Sequence, residues 1–524
     1  MDVALDWIDQ VQDHVSDLPA AEILALPADD KEAFAWYDMA VGQRSYRLAY
    51  LTDLAGRDPG ISDETFGRML DSVYFHARLL IEPSFFRAHS NHGLYQALGL
   101  AATTRRFAWL AGMRGYAKIA ERQLQQIIES QFFDEGTHRE HTPAYHHMVL
   151  GSLVNASRGG LLSTRTRADL RKAETALSWM VMPDGALAPF GDGDPAPLGS
   201  TAGYENDGFV HLLTKGSKGP PPHRGVRHYP ESGYGFARTY DPATQGCADA
   251  SYLAQMSAFH SRVHKHADHM TFVWSEGQLP ILTDPGRFGY EGRTKKGDGL
   301  WEQGFWYADP RRVYIESTRA HNAVEIDGRS YRRARNDAFG PALRQAEQQG
   351  PLVVFHSDAA YANARVRQRR TLILWPGKFL LCLDAMFGKR DHEYRQWFLL
   401  APQWHAAAAD GVVSATADGA TLCVTELLGG AELSPVFTGA EDPMQGWFSP
   451  SARELVPSPS FHYRRDGKIA IFASLFSLEG EAEVLPATRV NAGLSRGVFA
   501  WRSAGGERVV RYERVDDRVT TDVA

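Results

Sequence analysis

Cysteine is scarce in this chain. Cys247, Cys382 and Cys423 are the only three in 524 residues, widely separated and odd in number. That spacing excludes a thiolate metal cluster and a disulfide scaffold, leaving small buried thiols as the better reading. Also missing is any uninterrupted apolar run long enough to span a bilayer. No long basic run occurs and the formal charge is -7, so nucleic acid is not an expected partner. Near the start, Asp2, Asp6, Asp9 and Asp13 stand where a secretory leader would be basic and then apolar. The expectation is therefore a cytoplasmic protein, or a periplasmic one if a leader has been removed. A phosphate-binding glycine loop is absent too: Gly191-Asp192-Gly193-Asp194 has neither the lysine nor a preceding strand.

What the chain does have is a concentration of imidazole. His260 to His269 holds four of the 20 histidines together with Asp268, and runs straight into Met-Thr-Phe-Val-Trp. Imidazole binds metals as a neutral ligand and exchanges protons near neutral pH. If the segment is extended, His264, His266 and Asp268 share one face, because strand side chains repeat every two residues. Aromatic residues make up 11%, enough to build a groove that stacks on sugar rings, although large cores also consume them.

Two grammars divide the chain. From about Lys31 to Lys215 the apolar residues recur at helical steps, as in Phe66, Met69, Leu70, Val73, Tyr74 and Leu80. Further helical segments are expected over Leu94–Ala111, Gly115–Phe133, His146–Ser157 and Thr166–Met182. Short loops between them indicate stacked antiparallel hairpins. A stretch rich in proline and glycine, residues 216–230, reads as a linker. Beyond it lie strand-like runs at Leu352–Phe355, Thr371–Trp375, Lys378–Asp384, Tyr394–Leu400 and Lys468–Phe476, with a hairpin over Gly497–Arg514 turning at Gly505-Gly506. The expected organisation is a helical domain over 1–215, the linker, and a domain of stacked antiparallel sheets over 231–524.

Two later segments place ligand types beside strand-forming residues: Leu282-Thr283-Asp284-Pro285-Gly286 and Arg319-Ala320-His321-Asn322-Ala323-Val324. Two imidazoles and one carboxylate make a set suited to zinc. Taken singly, Asp284 is equally a turn aspartate and His321 equally a core histidine.

Together, His264-x-His266, Asp284-Pro-Gly286 with Tyr290, and His321-Asn322-Ala-Val resemble the β-domain signature of the heparinase II/III-like polysaccharide lyases, a family that includes oligoalginate lyases. Ser90-Asn91-His92 resembles the family's Asn-His motif. Glu140-His141-Thr142-Pro143-Ala144-Tyr145 is similar to its Glu-x-Ser-Pro-x-Tyr motif, with Thr142 in place of serine, and Pro189 to Asp194 resembles its Gly-Asp-x-Asp turn. The resemblance implies an N-terminal incomplete (α/α) toroid followed by a C-terminal antiparallel β-sandwich, a multidomain α+β chain. It implies zinc held by His266, Asp284 and His321, with His264 turned toward substrate.

The implied activity is β-elimination on a uronic-acid glycan. A base removes the C5 proton, an acid protonates the departing O4, and an unsaturated uronate remains. Asn91 and His92 would neutralise the substrate carboxylate by preorganised hydrogen bonding; read alone they are a helix cap beside a surface histidine. Tyr145 is the candidate acid, and His264 and Tyr307 are candidate partners in proton transfer. Tyr307 is equally an aromatic groove wall with Trp301 and Trp306. Tyr290 either packs or touches substrate, and Arg238 is either a contact to an acidic sugar or a strand-edge cation. The expected partner is an acidic oligosaccharide or polysaccharide. Two other classes remain open at this level: a zinc-dependent glycan hydrolase, and a carbohydrate-binding or assembly protein of the same fold.

Overall fold

A computed structural model of the chain describes residues 2–24, 35–194, 198 and 203–524. Lys31, where the helical pattern begins, lies outside the described residues. The chain forms two compact units, one of Met1–Gly136 with Met148–Ala173 and one of Thr137–His147 with Glu174–Ala524.

The first unit is helical. Its longer helices are Asp38–Ala55, Asp63–Leu80, Asn91–Arg106 and Met113–Gln131. Ser62 caps the second by accepting from the Thr65 amide at 3.2 Å, satisfying one of the donors that a helix start leaves open. Met69, Val73 and Leu80 are buried as the spacing predicts, whereas Tyr74 is exposed. The buried stripe instead takes in Ser72 and His76. Burial and the Arg44 guanidinium hold His76 neutral, its pKa down at about 3, while Nδ1 donates to the Ser72 carbonyl at 2.8 Å. Helices Asp38–Ala55 and Asn91–Arg106 meet backbone to backbone. A Cβ on Gly99 would strike the Gly42 carbonyl, so only glycine permits this approach. Helices Pro143–Arg158 and Thr164–Met180 continue the pattern and pass from one unit into the other.

In the second unit the stacked antiparallel sheets form three layers. The middle sheet has ten strands, led by Phe379–Leu399 paired antiparallel with Ser460–Ser477 on one side and Val366–Trp375 on the other. Over its first half, Phe379 to Met386, both faces of the long strand are buried and mostly apolar, with Asp384 paired to Arg370. Leu380, Cys382 and Met386 pack toward Phe272, Trp274 and Ile281 of one five-stranded sheet. Phe379, Leu381, Leu383 and Ala385 pack toward Phe499, Trp501 and Val510 of the other. Period-two side chains explain why a central strand reads as one continuous apolar run. The sequence shows this strand as two, Lys378–Asp384 and Tyr394–Leu400, because register breaks between Phe387 and His392 around polar Gly388-Lys389-Arg390-Asp391.

Two boundaries differ from expectation. Gly225–Tyr229, inside the expected linker, is the first strand of a sheet and pairs with Tyr234–Thr239. Residues 137–147 and 174–215, helical by pattern, belong to the unit of sheets. Hydrogen bonds explain the second point: the Tyr252 hydroxyl donates to the Trp179 carbonyl at 2.8 Å, and Arg238 donates to the Ser178 and Val181 carbonyls at 2.7 and 2.8 Å.

Arg238 is thereby corrected as a substrate contact. It is fully buried, lies 5.3 Å from the Trp179 ring, and spends its guanidinium on backbone acceptors. Arg238→Leu is expected to destabilise the fold by about 3 kcal/mol, since the stranded carbonyls lose their donors. Denaturant unfolding reads this directly; a variant of normal stability but weakened substrate affinity would restore the original reading.

Candidate active site and metal centre

The histidine segment is a loop, not a strand. It links Ala258–Phe259 to Thr271–Glu276, and His264 adopts φ 56° in the left-handed region. This bend separates the two imidazoles that strict alternation would have kept on one face. The loop is seated on the Gly191-Asp192 turn, where the Asp192 amide donates to the His264 carbonyl at 3.0 Å. Gly191 has φ 61°, and a Cβ there would collide with the same carbonyl, so glycine is required twice over.

His266, Asp284 and His321 are fully buried and offer ligand atoms within 4.8 Å of one another, the one such group among the described residues. Each has one polar atom engaged and one left over. His266 Nε2 meets Asp192 Oδ1 at 2.8 Å, and His321 Nδ1 meets Asp284 Oδ2 at 2.9 Å. Thr271 adds a hydrogen bond to Asp284 Oδ2 at 3.1 Å. The remaining atoms, His266 Nδ1, Asp284 Oδ1 and His321 Nε2, are buried without a hydrogen-bond partner. Orphaned buried acceptors are costly unless something binds them, and here they are two imidazole nitrogens and a carboxylate oxygen. Burial lowers the His266 pKa, keeping it in the neutral form that binds a metal. The donor set fits a metal ion.

Asn322 fixes the frame that carries these ligands. Its Nδ2 donates to the Phe272 and Thr283 carbonyls at 2.7 and 2.8 Å, and its Oδ1 accepts from the Leu399 amide at 2.8 Å. One side chain therefore ties the residue after His321 to the strand following the histidine loop and to the residue before Asp284.

A cluster of hydrogen-bonded and stacked side chains adjoins the candidate metal group. His264 stacks on Tyr145 with centroids 3.6 Å apart, and its Nδ1 lies 2.8 Å from Glu140 Oε2. Burial works to raise the Glu140 pKa, but the His264 hydrogen bond and the neighbouring imidazoles hold it below the usual range. An ionised Glu140 takes the proton on His264 Nδ1, so in the neutral imidazole Nε2 is the acceptor. On the other side, Tyr290 donates to Asp192 Oδ2 at 3.0 Å, and its oxygen is 3.1 Å from the Tyr145 hydroxyl. With the Tyr290 proton committed to Asp192, the Tyr145 proton is directed at Tyr290. Burial raises the Tyr145 pKa, so it carries its proton at neutral pH.

Asp192 is the junction that sequence reasoning missed. It touches His266, Tyr290 and Arg312, the last at 2.6 Å, and these cationic and hydrogen-bonding partners overcome burial to keep it ionised. Arg312 is balanced in turn by Glu316 at 2.6 Å. The only hint in the sequence was the Gly-Asp-x-Asp turn, which shows no trace of a partner 74 residues away.

The other expected residues fall in three places. Tyr307 packs against Tyr290 with ring centroids 5.1 Å apart. Trp301 is half-buried beneath Arg262, 5.6 Å from its ring. Asn91 and His92 open a helix of the first unit, where His92 Nδ1 lies 3.0 Å from Asp38.

Comparison with known proteins agrees with the fold. The heparinase II/III N-terminus model matches residues 2–195, and the heparinase II/III-like C-terminal model matches residues 221–484. Heparan sulfate lyase HepC from Pedobacter heparinus superposes with TM-score 0.70 at 17% identity, over 96% of this chain and 78% of that one. A heparinase III gene product gives TM-score 0.76 at 15% identity, covering 98% and 80%. Another heparinase III gives 0.73 at 14% identity, covering 99% and 79%. No curated protein is significantly similar in sequence. Two matched models that together take in most of its length, and a shared fold, place the chain in the heparinase II/III-like family of polysaccharide lyases.

Proposed function

We propose that this chain cleaves a uronic-acid-containing glycan by β-elimination, with His264 as base and Tyr145 as acid. The observation that carries the reading is the stacked His264–Tyr145 pair, in which Glu140 leaves His264 Nε2 free to accept while Tyr145 is held protonated. His264 Nε2 takes the C5 proton. The electron pair released forms the C4–C5 double bond as the C4–O4 bond breaks, and Tyr145 delivers its proton to O4. The acid and base then exchange a proton to reset the site.

The C5 proton beside a carboxylate is weakly acidic, so the carboxylate must be neutralised. The resemblance gives that role to Asn91 and His92. Asn91→Ala is expected to lower kcat/KM by about 10²-fold, the usual loss for one such donor. Steady-state kinetics on a confirmed substrate check it, and a variant within threefold of wild type would discard the assignment.

His266, Asp284 and His321 would hold zinc, for which two imidazoles and a carboxylate are a suitable set. Bound there, zinc would hold three loops in register and keep the His266–Asp192–Tyr290 chain oriented. Chemistry at the reacting sugar is left to this chain's own side chains.

A glycosaminoglycan is the favoured substrate class, in keeping with the heparan sulfate lyase among the structural relatives. The test is a panel of heparan, hyaluronan, alginate and poly-glucuronate, followed by the ultraviolet absorbance of unsaturated uronates. Rising absorbance on at least one polymer supports the reading; depolymerisation with no absorbance change contradicts it.

A further inference from the structure

Arg262 lies two residues before His264 on the same loop, and the sequence reading gave it no role. Its guanidinium lies over two indoles, 5.2 Å from the Trp306 ring and 5.6 Å from Trp301. Stacking of this kind fixes a planar cation without neutralising it. Its Nε and Nη2 are buried, yet meet no hydrogen-bond acceptor among the described residues. The charged groups around it offer no relief. Arg332 and Arg333 carry the same sign, and the nearby carboxylate, Glu316, is already held by Arg312 and Arg333 at 2.7 Å each. A half-buried guanidinium with two vacant donors and like-charged neighbours is built to receive an anion.

Its position says where on the glycan that anion would lie. Trp306 is followed directly by Tyr307, whose ring packs on Tyr290, which in turn reaches Tyr145. Arg262 is thus connected to the proton-transfer cluster twice, through its own loop to His264 and through Trp306-Tyr307 to Tyr290. It touches neither the metal ligands nor the Tyr145–His264 pair, so it is free to serve a neighbouring sugar.

We propose that Arg262, clamped by Trp301 and Trp306, binds an anionic substituent on a sugar adjoining the one that is cleaved, making the enzyme selective for glycans charged at that second position. This rests on the lyase reading for its substrate, but not for its anion. Two sources supply the required chemistry: the carboxylate of a second uronate, and a sulfate ester.

The test compares wild type, Arg262→Gln and Arg262→Lys on an unsulfated polyuronate and on a sulfated glycosaminoglycan. Arg262→Gln is expected to raise KM by about tenfold on the polymer whose charge occupies the site, with kcat within about threefold. Arg262→Lys, which keeps the charge but not the planar fork, should fall between. A KM increase on the sulfated polymer alone identifies sulfate; an increase on both identifies the carboxylate. An unchanged KM with reduced kcat on both means that Arg262 only braces the His264 loop, and overturns the proposal. Should wild type cleave neither polymer, the lyase reading fails on its own, and tryptophan emission decides Arg262 separately. Titration with sodium sulfate or sodium glucuronate should then give a saturable change in wild type that Arg262→Gln lacks. No Arg262-dependent change with either anion would overturn the proposal.

Discussion

Replacing Tyr145 with phenylalanine is expected to lower kcat by about 10³-fold while leaving substrate binding nearly intact. The change removes one oxygen and no ring. Packing on His264 persists, because stacking at 3.6 Å needs only the aromatic face. What disappears is the proton that Tyr145 directs at the Tyr290 oxygen 3.1 Å away, and that the departing O4 would take instead. The loss therefore belongs to the bond-breaking step. Rapid-mixing measurement of bound substrate and of product formation separates the two. A Tyr145→Phe enzyme turning over near the wild-type rate would move the acid elsewhere, to Tyr307 or to His264 acting alone. Substitution of Tyr290 should be milder, since Tyr290 orients Tyr145 through Asp192 rather than meeting O4.

Removing the metal should produce the second large effect. Purified protein is expected to carry close to one zinc per chain, and His266→Ala to lose it. The loss in affinity should exceed the roughly 10–100-fold that outer hydrogen-bond partners alone cost. Stability should fall as well, because binding energy at such a site is folding energy. On chelation His266 Nδ1, Asp284 Oδ1 and His321 Nε2 would be left as unpaired acceptors in a dry interior, and in His266→Ala the last two would be. Elemental analysis, with thermal unfolding before and after chelation, gives both readouts. Re-adding zinc should restore both the melting temperature and the turnover. A zinc-free protein that melts no lower than the loaded one would remove the metal from the account. Asp192→Asn offers a subtler check. It should loosen zinc and slow turnover together, as Asp192 contacts both His266 and Tyr290.

The metal group was legible because each ligand sits in a short motif: His266 in His-x-His, Asp284 before Pro-Gly, His321 before Asn. The reason for the last asparagine was not. Asn322 acts through backbone groups of Phe272, Thr283 and Leu399, and backbone partners leave no mark in a sequence. Arg238 was left undecided for the same reason, as two of its acceptors are carbonyls 57 and 60 residues away. Asp192 looked like a turn residue, and it is one; its second role comes from long-range ion pairing. Two helices read well from spacing, Met113–Gln131 and Thr164–Met180 falling within two residues of expectation, whereas Asn91–Arg106 starts three residues earlier and ends five residues earlier than its pattern. The long central strand read poorly. Both its faces are buried, so the apolar run carries no alternation, and its polar bulge imitates a turn. His264 shows the limit of period-two reasoning, because one residue at φ 56° redirected the pair.

The central claim, elimination with His264 and Tyr145 exchanging the proton, is tested most directly by weighing the products of a defined uronate oligosaccharide. Elimination consumes no water. The masses of the two fragments should sum to that of the substrate, with one fragment carrying a new C4–C5 double bond and its ultraviolet absorbance. Fragments that together exceed the substrate by one water, and carry no such absorbance, would mean hydrolysis and would contradict the account.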